Sequence, residues 1–168
     1  NYHYERVKHN ENLTCVEKEK ILEGFQKLRE IFGDQWLKDA FKEGHSLLVY
    51  LLNRAPWSQL WFADFGKKLS VLKDVKNFSS LARRLKDKEE FEGAEAELEV
   101  AFKLRSNNIP FELYPRINSK RADIKVSLDK EITYFEITTV RLSGEEQSAS
   151  ITHQALCGPP FTFKLRLG

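Results

Sequence analysis

Between Val16 and Phe32 apolar residues return every three or four positions (Val16, Ile21, Leu22, Phe25, Leu28, Ile31, Phe32). That spacing lines them up on one face of an α-helix. Thr14 stands where an N-cap belongs, and Gly33 where a helix stops. The same reading predicts a helix over Asp34 to Glu43, ended by Gly44, and one opened by Ser46 through "LLVYLLNR" and closed by Pro56. Two more are expected around Ser58 to Leu72 and Phe78 to Leu85. Trp36, Trp57 and Trp61 are the natural anchors of this helical half, because large aromatics supply much of a small core's buried area. "Asp64-Phe65-Gly66" reads as helix packing followed by a glycine break, not as a kinase metal site, since no other kinase motif accompanies it.

Near residue 90 the period changes. "EEFEGAEAELEVAFKLRS" is rich in helix formers, with Ala94, Leu98 and Ala101 along one side, and Asn107 and Asn108 end it. Three β-branched and aromatic runs follow, over Pro110 to Pro115, Ala122 to Leu128 and Glu131 to Val140. Asn118-Ser119 and Asp129-Lys130 separate them as turns. "EEQSASITHQALC" reads as a helix stopped by Gly158-Pro159-Pro160, and "FTFKLRL" as a last strand. The expectation is an α/β protein of the α+β kind, with a helical region over 1–88 and an αβββαβ core over 89–168.

Composition narrows the classes. A chain of 168 residues, 41% hydrophobic and 31% charged, is an ordinary globular protein without a run of apolar residues long enough for a membrane span. Cys15 and Cys157 are too few for a disulfide scaffold or a thiolate zinc site, and the polar opening "NYHYERVKHNEN" does not read as a leader, so a cytoplasmic location is expected. The net charge of +2 exerts no overall pull on nucleic acid. The densest basic run, Lys73 to Lys88, reads as a solvated face. Eight scattered glycines form no phosphate-cradling loop.

One residue is out of place in this pattern. Glu136 lies between Phe135 and Ile137 in a strand that looks built for burial, and an unpaired carboxylate inside a covered sheet is costly unless a cation or a hydrogen-bond network compensates it. Alternation puts Glu136 and Thr138 on one face with Tyr134, and Asp123 and Lys125 together on one face of their own strand. The competing reading is an edge strand in which Glu136 faces water.

"Glu97-Leu98-Glu99-Val100-Ala101-Phe102-Lys103-Leu104", "Arg121-Ala122-Asp123-Ile124" and "Tyr134-Phe135-Glu136-Ile137-Thr138" together resemble the PD-(D/E)xK, or restriction-endonuclease-like, nuclease superfamily over roughly Glu89 to Leu167. They match its first-helix signature, its Pro-Asp step and its Glu-x-Lys strand, with Ala122 in place of Pro and Thr138 in place of Lys. The resemblance implies a central mixed sheet flanked by helices and a metal-dependent nuclease acting on DNA. It implies Mg²⁺ or Mn²⁺ held by Asp123 and Glu136 with Glu97 assisting, and Lys125 or Thr138 near the attacking water. Such a cation supplies an activated water and a counter-charge for phosphodiester hydrolysis. A homodimer is also expected from the family, and a protein partner for the helical half. Because a neutral hydroxyl stabilises developing charge less well than a lysine, two alternatives stay open. One is a nuclease fold that has lost catalysis and serves as a nucleic-acid-binding or protein-interaction module. The other is a helical interaction protein with an incidental α/β tail.

Overall fold

A computed structural model describes residue 5 and residues 7–47, 56–117, 120–128, 131–139 and 163–167, with only the backbone described at 56, 57 and 163–167. The helices are α1 (Cys15–Phe32), α2 (Asp34–Glu43), α3 (Pro56–Leu72), α4 (Phe78–Lys86) and α5 (Phe91–Ser106). The strands are β1 (Phe111–Leu113), β2 (Arg116–Ile117), β3 (Lys120–Arg121), β4 (Ile124–Leu128), β5 (Glu131–Thr139) and β6 (Phe163–Leu167). The protein is therefore a mixed α+β chain with its helices concentrated in the N-terminal half. It folds as two compact units, one of Asn1–Asp74 with Ala82–Phe91, the other of Val75–Leu81 with Glu92–Gly168. Among the described residues no helix is long and apolar enough to cross a membrane.

In the helical unit the local signals read from the sequence hold. Thr14 Oγ1 accepts the N–H of Glu17 at 3.3 Å while the Glu17 carboxylate accepts the Thr14 N–H at 2.8 Å, a reciprocal capping box. Gly33 (φ 86°) and Gly44 (φ 66°) supply the positive φ that closes α1 and α2. α3 begins two residues before Ser58, at Pro56, which suits a first helical position because no intrahelical N–H is needed there. Trp36 meets Phe32 edge-on at 4.8 Å and Trp61 stacks on Phe65 at 5.0 Å, so both act as packing residues. The side chain of Trp57 and most of "LLVYLLNR" lie outside the described residues, as do the turns at 118–119 and 129–130 and the helix expected within 145–157.

Gly66 does not break a helix. It lies inside α3, where Asp64 is ion-paired with Lys68 one turn on, and it faces Gly24 of α1. A Cβ on Gly24 would stand 2.6 Å from Ala63 Cα, and one on Gly66 would meet the backbone of Gly24. The two glycines thus let α1 and α3 approach backbone to backbone, beside the Phe25–Phe62 ring contact at 4.6 Å. Gly24→Ala gains roughly 0.5–1 kcal/mol of helix propensity but forces backbone apart at a cost of about 1–3 kcal/mol. The net expectation is destabilisation, seen as a lower chemical-denaturation midpoint; an unchanged or raised midpoint would show that the helices do not meet there.

His45 is buried at 3% exposure, edge-on to the rings of Trp36 at 5.2 Å and Phe91 at 5.0 Å. Its Nδ1 accepts the Leu47 N–H at 3.2 Å, and its Nε2 completes no hydrogen bond among the described residues. Burial draws its pKa below the usual imidazole value; Lys88 acts in the same direction, and Asp87 and Glu43 oppose the shift. The unfolded chain then takes up a proton at higher pH than the folded one, so this contribution to stability is complete above about pH 6.5 and is lost as pH falls through that value. Thermal midpoints should fall from pH 7 to pH 5, and His45→Phe should flatten that slope.

The second unit is built on an antiparallel sheet in the order β1-β4-β5-β6, with β2 and β3 forming a separate hairpin. β1 pairs with β4 (Leu113↔Ile124), β4 with β5 (Ile124↔Phe135) and β5 with β6 (Ile137↔Leu165). Every pairing among the described strands is antiparallel, so the mixed sheet expected from the resemblance is not what these strands form. β5 has a neighbour on each side and is not an edge strand, yet Glu136 faces water as the edge-strand reading expected. Ile124 and Val126 are buried on one face of β4 with Leu113 beside them. On α5 the expected stripe of Ala94, Leu98 and Ala101 is buried, and so are Glu95 and Glu97.

Candidate functional site

Asp123 ends the loop that leads into β4 and is held from three directions. Its carbonyl accepts the Tyr114 N–H at 2.8 Å, continuing the β1–β4 ladder. Its N–H donates to the Phe135 carbonyl at 3.1 Å, one residue out of the Ile124↔Phe135 register. That slip displaces the side chain along β5, and Oδ2 accepts the Ile137 N–H at 2.7 Å. The Asp123 carboxylate therefore lies against the peptide that joins Glu136 to Ile137. Since Ile124 and Phe135 face each other, alternation sets Lys125, Tyr134 and Glu136 on the opposite face of the sheet, while Asp123 precedes β4 and meets β5 out of that register.

Glu136 is exposed, and Phe135 and Ile137 beside it are only half-buried. The sheet is not covered on both faces here, so desolvation is not what demands a partner for this carboxylate. Glu97 on α5 is instead buried, at 1% exposure. Its Oε2 accepts the hydroxyl proton of Tyr114, whose own exposure is 5%. Tyr114 has φ 53°, a left-handed conformation that costs a bulky residue of order 1–3 kcal/mol and that clusters at functional sites. Asn77, itself at φ 66°, braces the same bend by donating from Nδ2 to the Leu113 carbonyl at 2.7 Å. Tyr114 thus ties the helix carboxylate to the strand backbone, its hydroxyl to the Glu97 carboxylate and its N–H to the Asp123 carbonyl.

Among the described residues no three His, Cys, Asp or Glu side chains gather in an arrangement that could hold a metal. Glu97 communicates with Asp123 through Tyr114 rather than joining it in a common ligand set. The pair that remains, Asp123 and Glu136, offers oxygen donors only, and the second oxygen of Asp123 accepts no hydrogen bond among the described residues. Oxygen donors of that kind are the ones a hard divalent cation takes, completed by several waters.

The expected cations are placed less simply. Lys125 is half-buried, across from Tyr134 on one side and Glu112 on the other, and Glu112 is already engaged by Lys76 at 2.7 Å. Thr138 is exposed, and the position opposite it on β6 is Lys164, as Arg166 is opposite Glu136. Sequence reading treated "FTFKLRL" only as a strand; its alternation of Lys164 and Arg166 was the available signal. Tyr114 carried none, because nothing in a Tyr-Pro pair announces a positive φ.

Comparison with protein-family models, with curated proteins and with solved structures returns no match for this chain.

Tyr114→Phe removes the hydroxyl donor from a buried carboxylate and keeps the ring. It should destabilise the protein by about 1–3 kcal/mol, read as a lower urea midpoint; an unaffected midpoint would mean that Glu97 does not depend on that bond.

Proposed function

We propose that residues 89–168 form a PD-(D/E)xK-like core that hydrolyses phosphodiester bonds, in DNA as the first substrate to test, with Mg²⁺ or Mn²⁺ held by Asp123 and Glu136. The observation that carries this reading is the seating of the Asp123 carboxylate on the Glu136–Ile137 peptide at 2.7 Å. It sets an aspartate from the entry of one strand against the peptide that follows the acidic residue of the next, which supports the order the motif requires. When bound, the cation supplies an activated water and a counter-charge at the phosphoryl group.

The chain's own residues have separate tasks in this reading. Asp123, fixed through its backbone and through Oδ2, gives one carboxylate oxygen a defined direction. Glu136 supplies a second, mobile carboxylate at the water-exposed face. Glu97 and Tyr114 hold the Asp123 segment in place from behind. Thr138 can orient a water by hydrogen bonding, and the positive charge that a motif lysine would provide is sought at Lys125 or at Lys164, which occupies the register position opposite Thr138. A specific observation favours a second reading, a nucleic-acid-binding module without catalysis. The motif position itself holds an exposed neutral hydroxyl, and the described acids make a pair and not a triad.

Calorimetric titration of Mg²⁺ and Mn²⁺ separates the two when combined with plasmid and single-stranded DNA cleavage. Asp123→Asn and Glu136→Gln should each abolish the binding heat and lower cleavage by about 100-fold or more. Lys125→Met and Lys164→Met identify which cation serves, by lowering the rate with the metal heat intact. Metal binding without cleavage selects the binding module. Identical heats for the wild type and Asp123→Asn would end the metal-site proposal altogether.

A further inference from the structure

The β2–β3 hairpin rises from the base of the candidate site. The Tyr114 N–H to Asp123 carbonyl and Ala122 N–H to Pro115 carbonyl bonds, at 2.8 and 3.2 Å, tie its two legs to the β1–β4 ladder. Its register sets Arg116 directly opposite Arg121 and Ile117 opposite Lys120. Arg116, Lys120 and Arg121 are all exposed, and none forms an ion pair among the described residues.

Like charges directly across a strand pair destabilise it, and strands of two residues have little else to hold them. A neutral or acidic residue at either arginine position would be the stable choice for the free protein. One of the arginines is moreover held in place: the Arg121 guanidinium lies 4.2 Å from the centroid of the Tyr114 ring, and that ring is locked by its hydroxyl bond to Glu97. A planar, stacked guanidinium of fixed direction is the form in which arginine recognises phosphate oxygens.

We propose that Arg116, Lys120 and Arg121 form a contact surface for the phosphate backbone of a nucleic acid, delivering it to the face that carries Asp123. The three cations free of ion pairs among the described residues and the fixed, stacked Arg121 guanidinium two residues from Asp123 fit a polyanion better than a protein partner. The inference deepens the nuclease reading by naming how substrate is held. It relies on that reading for the identity of the polyanion and not for the chemistry.

The test uses the full chain and a fluorescent 20-base-pair duplex in EDTA, with anisotropy followed over a salt series. Each phosphate neutralised contributes a slope of about −0.9 in log K against log salt, so the Arg116→Gln, Lys120→Gln, Arg121→Gln triple variant should flatten the slope by roughly two to three. At low salt its affinity should fall on the order of 10-fold or more. Its thermal midpoint should be unchanged or raised, because repulsion is relieved; should the triple variant fail to fold, the single variants report the same change in steps of about one. A triple variant that binds with the wild-type slope overturns the proposal, as does wild-type binding to phosphatidylserine vesicles in buffers where the duplex is not bound. Cleavage is read separately in Mg²⁺. Hairpin-dependent binding without cleavage keeps this inference and removes catalysis, and cleavage with hairpin-independent binding does the reverse.

Discussion

Asp123 is the residue at which the second unit's geometry is decided. Its carbonyl closes the β1 ladder at 2.8 Å, its N–H reaches β5 at 3.1 Å one step off register, and its carboxylate accepts the Ile137 N–H that the slip leaves facing it. The off-register bond and the side-chain bond depend on each other. Without the slip the carboxylate would not be seated on the Ile137 N–H. Without the carboxylate, the slip would leave a backbone donor to be satisfied by water or not at all, at about 1–3 kcal/mol if buried. Asparagine could preserve the acceptor, but no apolar residue could. A structural role for Asp123 and a role in binding a cation are therefore compatible, because one oxygen serves each.

Burial separates the acids of this unit by task. Glu97, at 1% exposure, is far too enclosed to stand as a bare charge, and the Tyr114 hydroxyl is among the bonds that make it tolerable. Glu136 faces water and needs no compensation to exist. The expectation that Glu136 required a cation because it was buried is thus replaced by a different physical ground, its adjacency to a carboxylate that the backbone holds in place. Tyr114 links the buried acid to the backbone of Asp123. Its strained φ of 53° is maintained by the Asn77 brace on Leu113, by the N–H bond to Asp123 and by the hydroxyl bond to Glu97.

Local signals were legible in the sequence and contacts between distant segments were not. Thr14, Gly33 and Gly44 act through their own turn of chain, so cap and stop chemistry could be read directly. Lys125, Tyr134 and Glu136 could be set on a common face because strand alternation needs only the pair register, whereas the off-register bond of Asp123 could not be read. Gly66 was misread as a break, since its use depends on Gly24 arriving from another helix. The β2–β3 hairpin was missed because strands of two residues have no period to detect. The sense of β6 was likewise open: an antiparallel pairing and a parallel one draw on the same alternating residues, and only the partner register distinguishes them.

That sense has an electrostatic consequence. The antiparallel register brings the positions of Arg166 and Lys164 across from those of Glu136 and Thr138. Counted along these strands the residue types are mixed in charge, in keeping with the net +2 of the whole chain. A balanced face does not attract a polyanion over distances near the Debye length of about 10 Å. An approaching phosphate backbone would instead respond to the nearest uncompensated cluster, and among the described residues of this unit that is Arg116, Lys120 and Arg121 at the entry to Asp123. A chain with no global attraction for nucleic acid can in this way still direct it to one place, because a local field needs only a few cations free of acidic neighbours.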